Sequence, residues 1–341
     1  MRRRSKFLAA VLAILVAVGP AIPASAWNDR GHMLVARIAY QQLSPAERAK
    51  VIAVLREHPH YRDYMAKTPP EGFSEEEWVF VRAATWSDWV RPPRGFKGDV
   101  AAHPRYKFHR GPWHYVNYPV KLPITDVKLP AEALKAETSI EQELPRSFEI
   151  ARGADVADPG VAAGVEAKQN RAVRLAWLFH FVGDIHQPLH TTALVDKQLF
   201  KTGSHADEGG NLLAVRPAAD QAPIRLHSYW DGVLGRESLM LSVGPAADQL
   251  RTKYPADSFG DQARNLSVRD WIAESYADAC RSAYLNGKLP LVPWSKFEDK
   301  QVSASDVPAF TAADDEAART VATKRVLLAG YRLAEMLKKL P

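Results

Sequence analysis

A single cysteine, Cys280, in 341 residues excludes an intramolecular disulfide. Whatever ties the long loops of this chain together is a different cross-link. The thiol itself reads as a small buried apolar residue on a helix, because thiols are among the most buried side chains. Alternating strand patterns are nearly absent as well. No acidic residue precedes Asp29, and no apolar run is long enough to span a bilayer comfortably, the longest being Phe7 to Val18. Arg2, Arg3, Arg4 and Lys6 stand before that run, Gly19-Pro20 breaks it and Ala24-Ser25-Ala26 closes it, which together spell a secretory signal peptide over residues 1–26. A secreted or periplasmic location follows as an expectation, with no stable membrane anchor after cleavage. Past that segment there is neither a low-complexity tract nor an internal repeat. Prolines and glycines are spread through the loops, so residues 27–341 are expected to form one domain.

What is present is ordinary globular composition, 46% hydrophobic and 25% charged, which rules out disorder, collagen and a multispan membrane protein. The net charge of +6 suggests a polyanionic partner only until it is located. Taking the four leader residues from the 45 basic side chains leaves 41 against 39 acidic ones, a mature net charge of +2. Global basicity is therefore not evidence for nucleic acid.

Helical periodicity begins near Trp27, and the start signals are legible. Ser44-Pro45-Ala46-Glu47 is a capping box with proline at the first helical position, predicting a helix to about His58. Ser74 and Glu77 repeat the box before a helix that carries Trp86, Asp88 and Trp89. Further helices are expected from Ala162 to Ile185, Ser267 to Leu285 and Ala312 to Leu340, with long loops at Arg91–Pro112, Pro119–Asp126 and Thr191–Arg225. The fold class predicted is all-α.

Eleven histidines raise the question of ligand spacing. His180 and Asp184 stand at i and i+4 on the long helix, and His227 and Asp231 repeat that spacing elsewhere. His190 follows the first pair just past Pro188. One such pair is commonly a helix-surface ion pair; two pairs and a third histidine, the first set among apolar neighbours, suggest a metal cluster, because unpaired charge there is costly.

At this point the chain resembles the zinc-dependent nuclease family typified by nucleases S-one and P-one. The matching motifs are Trp27-x-x-x-Gly31-His32, Trp86-Ser87-Asp88, Trp113-His114-Tyr115, the His180 to His190 block, Asp207-x-Gly209-Gly210-Asn211, Leu226-His227-x-x-Trp230-Asp231 and Gly330-Tyr331-Arg332-Leu333-Ala334. They occur in the family's order and cover essentially the whole mature chain.

The resemblance implies a single helical domain with long loops around a cleft holding three zinc ions. Asp88, His114, His180 and Asp184 would hold one ion. Asp184 would bridge to a second, completed by His32 and by the α-amino nitrogen and carbonyl oxygen of Trp27. His190, His227 and Asp231 would hold the third. Metal-binding energy would then serve as folding energy for the loops. Coordination lowers the pKa of water to about 7 at a single zinc, so a nucleophile is available at neutral pH. The implied reaction is hydrolysis of the P–O3′ bond of single-stranded DNA and RNA, leaving 5′-phosphates, with 3′-nucleotidase activity as a corollary and a monomer as the acting species. Asp88, Arg91 and Asp184 are the candidate catalytic residues; Arg91 would contact the scissile phosphate, Asn211 the nucleotide, and Tyr115 would stack the base.

Asn117 departs from the family pattern, standing where many members have an aspartate that pairs with the phosphate-binding arginine. The Arg91–Pro112 loop interleaves Arg91, Arg94, Lys97, Arg105, Lys107 and Arg110 with Phe96, Tyr106 and Phe108, which suits a nucleic-acid strand and a membrane surface equally. His58, His60, His103, His109 and His205 read as bystanders in polar loops, and His186 as a supporting group. Two other functions compete. A zinc phospholipase C shares the fold and the N-terminal tryptophan, and a noncatalytic zinc-stapled binding protein would reveal itself by a lost ligand, of which there is none.

Overall fold

The computed structural model describes residues 27–134, 138–235 and 242–341, so the segment read as a secretory leader lies outside the described residues. Among the described residues ten α-helices follow in chain order: α1 (Asp29–Gln42), α2 (Pro45–Leu55), α3 (Glu75–Trp89), α4 (Ile140–Ala151), α5 (Ala167–Asp184), α6 (Leu226–Asp231), α7 (Val243–Lys253), α8 (Val268–Asp278), α9 (Trp294–Glu298) and α10 (Ala312–Leu337). Strand is confined among the described residues to two short pairings, which makes the fold mainly α as the periodicity predicts. β1 (Tyr118–Val120) runs parallel to β2 (Thr192–Leu194), with Tyr118 opposite Thr192, and β3 (Ala214–Val215) is antiparallel to β4 (Ile224–Arg225). No described helix is long and apolar enough to cross a membrane.

Helix starts obey local chemistry where tertiary contacts allow it. The Ser44–Glu47 box forms in full, the serine accepting from Glu47 N while the Glu47 carboxylate accepts from Ser44 N at 2.7 Å. At Ser74 only half the box forms: its hydroxyl accepts from Glu77 N at 3.2 Å, but the Glu77 carboxylate pairs with Arg37 of α1. An interhelix charge pair has displaced a local cap. The long helix begins at Ala167, later than the predicted Ala162, because Gly164 takes a positive φ of 70° and Glu166 supplies the cap. The predicted helix to Leu285 loses α geometry earlier, α8 passing into a π turn at Ala279–Ala283 that buries Cys280. The expected loops are likewise not bare: Arg91–Pro112 contains the 3-10 turn Tyr106–Phe108, and Thr191–Arg225 holds three of the four strands.

α1 lies against α3, α7 and α10, while α5 lies against α4, α3, α2 and α10. α1 and α10 approach at a glycine: a Cβ on Gly330 would stand 2.5 Å from Ile38 Cγ2 and 3.1 Å from the Val35 carbonyl. The neighbouring Arg332, fully buried, donates to both oxygens of Glu274 on α8 at 2.7 and 2.8 Å and to His186 Nε2 at 2.8 Å. Arg325 donates to the same carboxylate at 2.6 Å and to the His186 carbonyl at 3.3 Å. Thus the Gly330-Tyr331-Arg332 motif brings α10 close and anchors the turn that leaves α5. His186 acts as that anchor's receiver, in keeping with a supporting role.

Candidate metal centre

Each candidate ligand is delivered by a local structural reason. Asn28 caps α1 by accepting from Gly31 N at 3.1 Å, and a Cβ on Gly31 would lie 2.7 Å from Trp27 Cβ, so the buried Trp27 side chain lies against this glycine. His32 follows one turn into α1. Asp88 comes from the last turn of α3, His114 ends the 3-10 turn Gly111–His114, and His180 and Asp184 occupy successive turns of α5. Pro188 starts a 3-10 turn that ends at His190, and α6 presents His227 and Asp231.

The structure gathers these side chains into groups of closely spaced donor atoms: His32, Asp88 and His180; His114, His180 and Asp184; His190, His227 and Asp231. Asp184 sits at the junction. Its Oδ1 lies 3.2 Å from His32 Nε2, and its Oδ2 lies 3.0 Å from His114 Nδ1 and 3.2 Å from His180 Nε2. Asp88 Oδ2 is 3.8 Å from His180 Nε2 and buried without a hydrogen bond, while Asp88 Oδ1 accepts from Arg91 at 2.7 Å. Arg91 is therefore held by a candidate ligand. Trp27 is buried just ahead of α1, with its indole nitrogen unpartnered.

The backbone orients the imidazoles. Nδ1 of His180 donates to the Ala84 carbonyl at 2.8 Å, that of His190 to the His114 carbonyl at 2.7 Å, and that of His227 to the Gly209 carbonyl at 2.7 Å. A carbonyl accepts only, so each of these nitrogens carries the hydrogen and each Nε2 is turned inward. Burial pushes His227 down to about 3 and His114 down to about 4, and lowers His190 as well. The lone pairs of His190 Nε2 and His227 Nε2 therefore face each other at 3.2 Å with no hydrogen between them. A shared cation resolves that contact, since two nitrogens about 2.0–2.1 Å from a tetrahedral ion stand roughly 3.3 Å apart. Around Asp184 burial opposes ionisation, yet His180 and His190 hold its carboxyl well below the usual range. Burial likewise opposes the charge on His180, but Asp184 and Asp88 prevail and raise it to about 9. A proton on His180 thus occupies the place where a metal would serve both carboxylates. The donor set of nitrogens and carboxylate oxygens, with orphaned oxygens on Asp88 and Asp184 and an orphaned ring on His32, fits zinc.

Several further groups support the candidate ligands. Gln187, fully buried, accepts from Leu189 N at 2.5 Å, which fixes its amide so that Nε2 donates to Asp231 Oδ1 at 2.8 Å. That leaves Asp231 Oδ2, 3.7 Å from His227 Nε2, to face the group. Gln187→Met is expected to weaken metal binding at the His190 group by about 10- to 100-fold while sparing the other ligands. Metal analysis after dialysis against graded chelator checks this; equal retention in the variant would remove Gln187 from the support. Asp207, raised to about 6 by burial, accepts from Leu194 N and the Tyr284 hydroxyl at 2.8 and 2.9 Å and thereby holds the Gly209 turn. A Cβ on Gly209 would meet the Leu189 carbonyl at 2.5 Å. The Asp207-x-Gly209-Gly210 motif is thus the support of His227.

The bystander histidines need correction. His58 and His60 are buried among aromatic rings, His60 Nδ1 accepting from Trp86 Nε1 at 3.0 Å. His109 lies within electrostatic reach of Arg91 and Asp88, is lowered to about 4 by burial, and has a buried Nδ1 without a partner. The basic loop is also less available than its composition suggests. Arg105 donates to the Trp89 carbonyl and Arg110 to the Gly160 carbonyl, and Phe108 is buried. Arg94 and Lys97 remain as its exposed cations.

Beside these groups lies a cavity of about 530 Å³ whose lining includes Tyr115, Asn117, Asn211 and His227. Three sequence-predicted substrate or ligand positions therefore share one wall system. Tyr115 is among the few exposed large apolar side chains, at 38%.

A profile described as S1/P1 Nuclease matches residues 27–341. Over 173 residues the chain is 25% identical to a curated protein named Endonuclease 4 from Arabidopsis thaliana, a match that covers 50% of this chain and 51% of that protein. The chain thus spans about half the length of this curated relative. With the family profile covering all the described residues, the chain belongs to the S1/P1 nuclease family.

Proposed function

We propose that this nuclease is a secreted or periplasmic, monomeric, three-zinc enzyme that cuts single-stranded DNA and RNA at the P–O3′ bond, leaving 5′-phosphates, and removes phosphate from 3′-nucleotides. The observation that carries the reading is the convergence of the Asp184 and His190 groups beside a cavity walled by an exposed aromatic ring. In this reading Asp88, His114, His180 and Asp184 hold one ion, Asp184, His32 and Trp27 a second, and His190, His227 and Asp231 a third. Zinc so held supplies an activated water and charge compensation for the leaving oxygen.

The remaining work belongs to side chains of the chain itself. Arg91, fixed by Asp88 through one guanidinium nitrogen, directs positive charge at a phosphate drawn to the groups. Tyr115 offers a face for a base, and Asn211 borders the same cavity. A base paired in a duplex reaches that face only after unstacking, so single strands are favoured.

The test compares one oligonucleotide as a single strand and as a duplex, together with 3′-AMP and phosphatidylcholine. Faster cleavage of the single strand, zinc-dependent release of phosphate from 3′-AMP and an inert phospholipid are expected. Tyr115→Ala should weaken single-strand binding by ~1 to 3 kcal/mol. Equal rates on both strand forms, unaltered in the variant, would dismiss the stacking role, and cleavage of phosphatidylcholine alone would dismiss the nuclease reading.

A further inference from the structure

The cavity beside the metal centre has a polar lining that differs from side to side. Tyr115 supplies the apolar face, Asn117 and Asn211 supply amides, and Glu208 is the one carboxylate among the described lining residues. Glu208 is exposed and sits in the left-handed region at φ 54°, an uncommon conformation for a side chain other than glycine. Its backbone is held from three directions. The preceding Asp207 is buried and bonded as described, the following Gly209 has no room for a Cβ, and the Asn211 amide donates to the Glu208 carbonyl at 2.9 Å. The carboxylate is therefore carried on a rigid turn. It lines the same cavity as the Tyr115 ring, and so stands near the stacking face.

A carboxylate only accepts hydrogen bonds, so it sorts bases by the donors they present. Guanine offers N1–H and N2–H side by side, and both oxygens can take them. Adenine and cytosine offer one amino group beside a ring nitrogen lone pair. Uracil and thymine offer a single N3–H flanked by two carbonyls, which repel a carboxylate. The amides of Asn117 and Asn211 present both a donor and an acceptor and discriminate less.

We infer that Glu208 reads the base held against Tyr115 and selects guanine most and uracil or thymine least. The inference rests on the proposed nuclease reading of this cavity and adds its base preference.

The experiment measures kcat/KM of the zinc-loaded enzyme for 3′-GMP, 3′-AMP, 3′-CMP and 3′-UMP. Dissociation constants for 5′-GMP and 5′-UMP by calorimetry give a second readout independent of turnover. A preference for 3′-GMP over 3′-UMP of about tenfold or more is expected, because charge-assisted pairs are the stronger ones and a mismatched edge leaves the carboxylate unpaired. Glu208→Gln should bring that ratio to within about threefold. Glu208→Gly, which suits the positive φ, should do the same with unchanged thermal stability and so separates the carboxylate from the turn. Equal wild-type values for guanine and uracil, in turnover or in binding, overturn the inference, as does a ratio retained in Glu208→Gln. Failure to hydrolyse any 3′-nucleotide or single strand counts against the nuclease reading instead, and the calorimetric ratio still decides the role of Glu208.

Discussion

Asp184→Asn is expected to abolish turnover and to deplete metal from two groups together, with kcat reduced on the order of a thousandfold or more. The expectation follows from position: one carboxylate oxygen faces His32 while the other faces His114 and His180. An amide keeps the volume but loses the charge and one acceptor. In the metal-free protein the same change leaves His180 with Asp88 as its remaining carboxylate neighbour, and losing one partner of a buried charge pair costs about 3–5 kcal/mol. The sign with pH is defined. His180 is raised to about 9, so its contribution to metal-free stability is complete below the unfolded value near 6.5 and disappears as pH climbs through about 9. Asp184 is lowered, so its contribution is present above the ordinary carboxylate range and is lost in acid. Thermal unfolding of metal-free wild type should therefore move to lower temperature as pH rises from about 6.5 to about 9, and the shift should shrink in Asp184→Asn. A variant that keeps full zinc content and near-normal cleavage would end the proposed three-ion arrangement.

The sequence made the candidate ligands legible because helices convert spacing into geometry. His180 and Asp184, and again His227 and Asp231, stand on one face by the i,i+4 rule alone, and both pairs meet as expected. What keeps them there was not legible. Gln187 reaches Asp231 across 44 residues and Arg332 reaches His186 across 146. Such contacts follow from packing, and no window of local sequence contains both partners. His58 and His60 show the same limit. A short polar stretch surrounds them in sequence, whereas Trp86, Trp89 and Phe108 surround them in space. The half-formed box at Ser74 has a related reason, since Glu77 meets Arg37 rather than its own cap. The basic loop is the converse case. Its composition suits nucleic acid, but Arg105 and Arg110 are used in satisfying backbone carbonyls that the loop itself leaves open.

These supports converge on the segment where α5 ends. Ser275 donates to the Ile185 carbonyl at 2.7 Å, Arg332 and Arg325 hold His186, and Gln187 turns toward Asp231. The Asp184 group and the His190 group are thereby joined by five residues of anchored chain, Ile185 to Leu189. Near the middle of α5, Arg174 is fully buried and bonds Glu143 at 2.7 Å and Asp158 through Nε at 2.7 Å, while its guanidinium lies 4.4 Å from the Trp113 ring centre. Trp113 immediately precedes His114. One helix thus carries the candidate ligands His180 and Asp184 and braces the residue before His114, so a small displacement within it reaches the Asp184 group.

Gly183→Ala is expected to show how closely α5 bears on His32 without replacing any candidate ligand. Alanine favours a helix interior over glycine by about 1 kcal/mol, so propensity alone predicts stabilisation of α5. The structure predicts the opposite. A Cβ at position 183 would stand 2.5 Å from His32 Nδ1 and 2.8 Å from His32 Cε1, closer than side chains pack. The ring has little room to yield, because it is fully buried, stacked on His180 at 4.0 Å, and carries the nitrogen that faces Asp184. Withdrawal of α1 is resisted at Gly330, where α1 and α10 are already in close contact. Overpacking of this kind costs about 1–3 kcal/mol, enough to outweigh the helix gain. Displacement of His32 by about 1 Å is sufficient to lower turnover roughly 100-fold. Metal analysis should show the loss concentrated in the ion that His32 would hold, with the His190 group retained. A double-mutant cycle isolates the cause: in a His32→Ala background the added methyl meets empty space, so Gly183→Ala should cost less stability there than in the wild type. Additive effects, or an alanine variant with full metal content and unimpaired turnover, would show that His32 is not held in place by the absence of a side chain on α5.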